Sequence, residues 1–226
     1  MNPIQEAVSR GLSQAKDAKV TDISIDIETL GKRPGAPIVA IGLAAFSRAT
    51  GEVYPVMYHT IDLQSSIDYS TGVDPSTLEW WLQQAPEAVA QTFNDKSNRW
   101  NLIESIAQLN DVFQYLGNPK PWGNGATFDI GLLEAVIDLT GMNIPWHHRD
   151  VRDVRTVVDL GRDLLGFNPK FEMPFEGTKH NALADAEHQA KYTVAIIRRL
   201  APSQTITGLL KQERQDREDA QAPTAN

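Results

Sequence analysis

Thr21-Asp22-Ile23-Ser24-Ile25-Asp26-Ile27-Glu28-Thr29 alternates isoleucine with polar residues at the two-residue period of a strand, which places Asp26 and Glu28 on one face. Two neighbouring carboxylates repel each other, so each holds its proton more tightly unless a cation sits between them. Hard oxygen donors of this kind suit magnesium or manganese. An isolated Asp-x-Glu is more often a solvated pair of charges at a strand end, so its meaning depends on what the rest of the chain brings to it.

Two further stretches supply matching residues. Trp122-Gly123-Asn124-Gly125-Ala126-Thr127-Phe128-Asp129 reads as a short strand and a glycine turn running into the helical spacing of Ile130, Leu133 and Ile137, so Asp129 falls in the first turn of a helix, where a carboxylate is favoured. His180-Asn181-Ala182-Leu183-Ala184-Asp185 leads into a helix marked by Leu183, Ala186, Ala190 and Ile197, with Asn181 as its N-cap; the turn there lets His180 and Asp185 face one cleft. Strand pair, post-turn aspartate and helix-entry His-x-x-x-x-Asp, in this order, point to metal-dependent phosphoryl transfer. The residues alone go no further than that reaction class.

The same residues are similar to the signature of the DEDDh 3'-5' exonucleases of the RNase H-like, DnaQ-type superfamily. Asp26, Glu28, Asp129 and Asp185 match its four acids and His180 its histidine; the Asn-x-x-x-Phe-Asp and His-x-Ala-x-x-Asp patterns fit as well. Ser76-Thr77-Leu78-Glu79-Trp80-Trp81 and Arg152-Asp153-Val154-Arg155-Thr156 resemble the phage DexA-type exonucleases and the RNase T-like bacterial exoribonucleases, and the likeness runs from residue 21 to residue 201. It implies an α/β fold with a mixed sheet, an antiparallel hairpin plus parallel strands, flanked by helices. It also implies release of 5'-mononucleotides from the 3' ends of single-stranded RNA or DNA. Two ions of Mg2+ or Mn2+ would be held by the four acids, Asp26 bridging them, with His180 as the base. Apart from the resemblance, Thr29, Asn124, Trp80, Trp81 and Phe128 are candidate substrate contacts. Two other readings keep the fold: a catalytically silent nucleic-acid-binding or scaffold module, and a phosphohydrolase of small nucleotides.

Composition narrows the setting. With 226 residues, 41% of them hydrophobic, the chain has the size of one large domain. The formal charge of −8 argues against a generic basic nucleic-acid coat and predicts binding through ions and stacking rather than a cationic surface. No stretch is long and apolar enough for a membrane span, Met1 to Lys19 lacks the apolar core of a signal peptide, and the absence of cysteine suits a reducing cytoplasm. No membrane partner is expected, and homodimerisation is left open.

Breakers and periodicity divide the chain into a helical extension over residues 1–20, an exonuclease-like domain over 21–201 and a polar, disordered or weakly helical tail over 202–226. Pro37 to Phe46 and Glu52 to Thr60 predict a hairpin, Asn101 caps a helix that Gly117 ends, and Val151 to Leu165 predicts another that ends at Gly166. Ser76 to Glu79 has the pattern of a capping box after Pro75. Trp80 and Trp81 point about 100° apart on that helix, which leaves two arrangements: both rings in the core, or one in the core and one free to stack on a base. Phe128 faces the same choice, with core packing favoured. The Gly, Pro and aromatic-rich run from Gly166 to His180 reads as an irregular lid, with Lys179 a candidate phosphate contact. Of Arg149, Arg152 and Arg155, each beside an acidic residue, most read as surface or interface ion pairs, and His59, His147, His148 and His188 read as structural.

Overall fold

The computed structural model describes residues 3–94 and 98–201, together with 208, 211 and 213–215. The fold grows from β1 (Asp22–Thr29), which pairs antiparallel with β2 (Ile38–Phe46), itself antiparallel to β3 (Val53–Ile61). A helix, α1 (Pro3–Ala18), precedes them and lies along β3. After β3 come α2 (Leu63–Asp68), α3 (Pro75–Trp81), α4 (Pro86–Val89) with a π turn over Ala90–Asn94, and the short β4 (Arg99–Trp100). The chain continues through α5 (Leu102–Leu116), β5 (Lys120–Gly123), α6 (Ala126–Thr140), β6 (Arg152–Asp153), α7 (Val154–Leu165), α8 (Pro169–Glu172) and α9 (Ala182–Leu200). Among the described residues the strands form one six-stranded sheet in the order β4-β3-β2-β1-β5-β6, with β4, β5 and β6 parallel to their neighbours. The mixed sheet of hairpin and parallel strands read from the sequence therefore forms. No helix among the described residues is long and apolar enough to cross a membrane.

Both faces of the sheet are covered, which is why β2 is buried along its whole length. Ile23, Ile25 and Ile27 join Ile106, Leu109 and Phe113 of α5 and Leu133, Val136 and Ile137 of α6 in the main core. Period 2 then turns Ser24, Asp26 and Glu28 to the opposite face, where α7 and α9 pack. Asp26 lies opposite Gly42 in the β1–β2 register, and the start of α9 rests directly on that glycine: a Cβ there would lie 2.2 Å from the Ala182 carbonyl carbon. Strand and helix can meet this closely only because residue 42 has no side chain.

Local signals fix most of the ends. Asn101 accepts a hydrogen bond from the Ile103 N–H and Gly117, at φ 84°, ends α5; Asn181 accepts from Ala184 N–H at the head of α9. The structure corrects three expectations. The cap of α3 is Asp74, whose side chain accepts from Ser76 N–H, with Pro75 as the first helical residue; Ser76 is inside the helix because proline is favoured just after the cap. The helix expected from Val151 starts at Val154, because Arg152 and Asp153 are drawn into the sheet beside Trp122 and Gly123 and Asp153 becomes the cap. The run from Gly166 to His180 contains the single helical turn α8. Of the tail, Gly208, Lys211 and Glu213 to Gln215 are helical, with Glu213 buried near Ser47; the other residues from 202 to 226 lie outside the described ones, and with them most of the disorder expected there.

His59 is one of the histidines read as structural, and its surroundings account for it. It is buried on β3, stacked on Trp100 with ring centroids 4.0 Å apart, and its Nδ1 lies 3.0 Å from the Ser105 hydroxyl. Burial pulls its pKa down to about 4, so the ring is neutral at neutral pH.

Candidate active site

One cleft, with a volume of about 450 Å³, opens where the C-terminal half of β1 meets the heads of α6 and α9. β1 delivers Asp26 and Glu28 side by side, and α9 delivers Asp185 from its first turn. Carboxylate oxygens of these three lie within 4.8 Å of one another, although 157 residues separate Glu28 from Asp185. Asp129, in the first turn of α6, lines the same cleft and is itself buried. The turn that places it depends on Gly125, whose φ of 95° is strained for any residue with a side chain. All four expected acids and His180 therefore face one space.

Charge crowding shows in the acids. Burial first, and then the charges of Asp129, Glu28 and Asp185, hold the Asp26 carboxyl well above the usual carboxylate range. Burial, Asp185 and Asp129 do the same to Glu28. Burial pushes Asp129 up to about 7, against the pull of the Asn124 and Ile27 N–H groups and of Arg155. Burial also raises Asp185, against the His180 N–H, the His180 ring and Lys179. Four carboxyls that resist ionisation together are relieved by a divalent cation among them, and their oxygen donors suit a hard one.

His180 sits at a left-handed backbone position, φ 63°, which turns its N–H onto the Asp185 carboxylate at 2.8 Å. The strained turn explains how a histidine five residues ahead of the aspartate reaches the same cleft. The tryptophans divide. Trp81 is buried against Leu30 and Val39, and its indole N–H donates to the Thr29 carbonyl at 3.0 Å. Trp80 is 39% exposed, lines the cleft and meets the His180 ring edge-to-face at 4.9 Å. Of the two arrangements left open, the divided one holds. Phe128 is shared between the main core and the cleft wall. Thr29 and Asn124 line the cleft, the Thr29 hydroxyl donating to the Gly31 carbonyl at 2.6 Å.

Four polar cleft residues escaped the sequence reading. Gln189 lies one helical turn after Asp185 and donates from Nε2 to Asp26 Oδ1 at 2.7 Å; its spacing of four was a legible sign. Thr77 presents a buried hydroxyl with no partner among the described residues. Lys32 lines the cleft from the loop after β1. Arg155, expected in a surface ion pair, lies in the cleft with its guanidinium against Gly125; Arg152 donates instead to the Arg149 and Val151 carbonyls. Arg155 thus stands in the cleft rather than at the surface, where its charge is felt by its neighbour Asp153 and by Asp129. The His147 and His148 rings lie tilted against each other, 4.1 Å between centroids, in a turn, and His188 packs against Phe175 and Tyr192.

Residues 21–197 match the model of the 3'-5' exoribonuclease Rv2179c-like domain. The chain belongs to that family. This Rv2179c-like protein is thus a nuclease, a 3'-5' exonuclease whose acids follow the DEDDh pattern. It is 27% identical over 178 residues to the exodeoxyribonuclease of Enterobacteria phage T4, covering 63% of this chain and 74% of that protein. Solved structures of cell-death related nuclease 4 and of a full-length 3'-exonuclease share the fold. The first has a TM-score of 0.56 at 9% identity, over 79% of this chain and 64% of that one. The second has a TM-score of 0.50 at 13% identity, over 78% of this chain and 81% of that one. The Rv2179c-like chain spans just under two thirds of cell-death related nuclease 4.

Proposed function

We propose that this Rv2179c-like exonuclease hydrolyses the 3'-terminal phosphodiester of single-stranded RNA or DNA and releases 5'-mononucleotides, with Asp26, Glu28, Asp129 and Asp185 holding two Mg2+ or Mn2+ ions. The observation that carries the reading is the meeting of Asp26, Glu28 and Asp185 oxygens within 4.8 Å, with Asp129 on the facing helix. Bound divalent ions would supply charge stabilisation to the attacking and leaving oxygens and make water more acidic. The protein's own groups do the rest. Gln189 fixes one oxygen of Asp26 and leaves the other free for an ion. His180, on the cleft rim, takes the proton from the attacking water, and Trp80, in edge contact with that ring, offers its exposed face to the terminal base. Asn124, Thr29 and Phe128 shape the wall beside the acids.

A ladder assay on 3'- and 5'-labelled single strands of RNA and DNA tests this. With magnesium or manganese, 5'-labelled strands shorten one nucleotide at a time; in excess chelator they stay intact. Internal cuts, cleavage in chelator, or hydrolysis of small nucleotides alone would overturn the reading. The rate on RNA set against the rate on DNA then assigns the substrate.

A further inference from the structure

An acidic cleft that takes a polyanion needs a cation the carboxylates have not already claimed. Arg155 meets that description. It projects from the first turn of α7 into the cleft, and its Cζ would lie 2.9 Å from a Cβ at position 125, so the guanidinium rests flat on the bare backbone of Gly125. Two carboxylates feel its charge, Asp129 and Asp153. Both are otherwise engaged. Asp153 Oδ2 accepts from Ala126 N–H at 2.6 Å and Oδ1 from Thr156 N–H at 2.9 Å, joining the heads of α6 and α7. Asp129 is turned toward the Asn124 and Ile27 N–H groups. Among the described residues the guanidinium has no hydrogen-bond or ion-pair partner, so its planar fork of donors stays open to the cleft. Lys32, the other cation of the cleft, stands near the exposed Asp74 carboxylate and on a flexible stem.

We infer that Arg155 binds a backbone phosphate of the substrate near its 3' end, with Gly125 present as much to let the guanidinium lie there as to make the turn before α6. The inference rests on the proposed nuclease function. The Asp153 clamp fixes α7 against α6, so this cation keeps a set distance from Asp129, and a phosphate held by it is registered against the acids rather than merely attracted.

Binding of labelled decathymidylate and decauridylate to the full chain, with calcium replacing magnesium, across a potassium chloride series, tests it. For single strands the slope of log affinity against log salt is about −0.7 per phosphate contact. Arg155→Met should make the slope shallower by about 0.7 and raise Kd about tenfold or more at low salt, with unchanged melting because the side chain is exposed. Arg155→Lys should keep the slope and recover only part of the affinity. Replacing the linkages nearest the 3' end one at a time by neutral methylphosphonate should reveal one linkage whose neutralisation weakens the wild type and leaves Arg155→Met indifferent. An unchanged slope with independent losses at every linkage would overturn the inference, as would a variant altered only in divalent-ion affinity. Normal ladders with an indifferent Arg155 would remove this contact alone; a wild type that neither binds nor shortens any strand would overturn the nuclease function with it.

Discussion

Replacing Asp129 by asparagine should make the ion-free protein more stable, and increasingly so as pH rises. Asp129 has an ordinary pKa of 3.8 and is held up at about 7 by burial. A group raised on folding adds stability below its unfolded pKa and loses it as pH climbs through its folded one. At pH 8 the unfolded chain has released this proton almost completely and the folded chain mostly has, and the linkage integral comes to about 4 kcal/mol of destabilisation. At pH 5 the same integral is about 2 kcal/mol, so wild type should lose roughly 2 kcal/mol relative to Asp129→Asn between those pH values. Urea denaturation of both proteins at pH 5 and pH 8, in excess chelator, measures the difference directly. Added magnesium or manganese should narrow or reverse the difference, because the wild type, with all four acids, binds ions more tightly in the folded state than the variant does. Parallel pH profiles for the two proteins in chelator would refute the argument, because they would mean that Asp129 ionises in the fold as easily as in the open chain.

Other perturbations separate scaffold from chemistry. Trp81→Ala should lower stability by about 3 to 5 kcal/mol, whereas Trp80→Ala should melt near wild type and weaken binding of a short single strand in calcium by about 1 to 3 kcal/mol; normal binding would take the Trp80 ring out of the substrate path. His180→Ala should lower kcat by about 10² or more with KM little changed, as steady-state kinetics will report. Asp26→Ala and Asp185→Ala should each abolish ladder formation with magnesium or manganese while circular dichroism stays that of the fold. His59 works in the opposite sense to Asp129: its folded pKa of about 4 lies below the ordinary 6.5, so its contribution, intact above 6.5, is lost as pH falls toward 4. Acidification from pH 7 to pH 5 should therefore cost wild type about 2 kcal/mol relative to His59→Phe in chemical denaturation.

The sequence showed most clearly what depends on neighbours along the chain. The two-residue period of β1 announced which side Asp26 and Glu28 take, and Asn101, Gly117, Asn181 and Gly166 marked helix ends because caps act within a single turn. Hidden were the features that only pairing across the fold creates. β6 is two residues long and exists because Trp122 and Gly123 stand beside it, and that pairing delays α7 and swings Arg155 into the cleft. Either residue 74 or residue 76 could have capped α3, and the fixed φ of Pro75 decided for Asp74. The tryptophan pair was undecidable beyond an angular argument, because burial of Trp81 depends on a carbonyl 52 residues away.

Gly42 carries no donor, no charge and no side chain, yet it acts as the gauge block of the site. It lets the start of α9, the helix that carries Asp185, rest directly on β2 beside the cross-strand partner Asp26. A methyl group there would stand 2.2 Å from the Ala182 carbonyl carbon, where ordinary contact begins at 3.4 Å, so α9 would have to back away by about 1 Å, several times the roughly 0.2 Å tolerance of metal-ligand distances. Asp185, three residues on, would travel with it and part from Asp26 and Glu28. An alanine at position 42 would thus disturb the carboxylate group without altering any of its members, at a place that a survey of reactive side chains would miss.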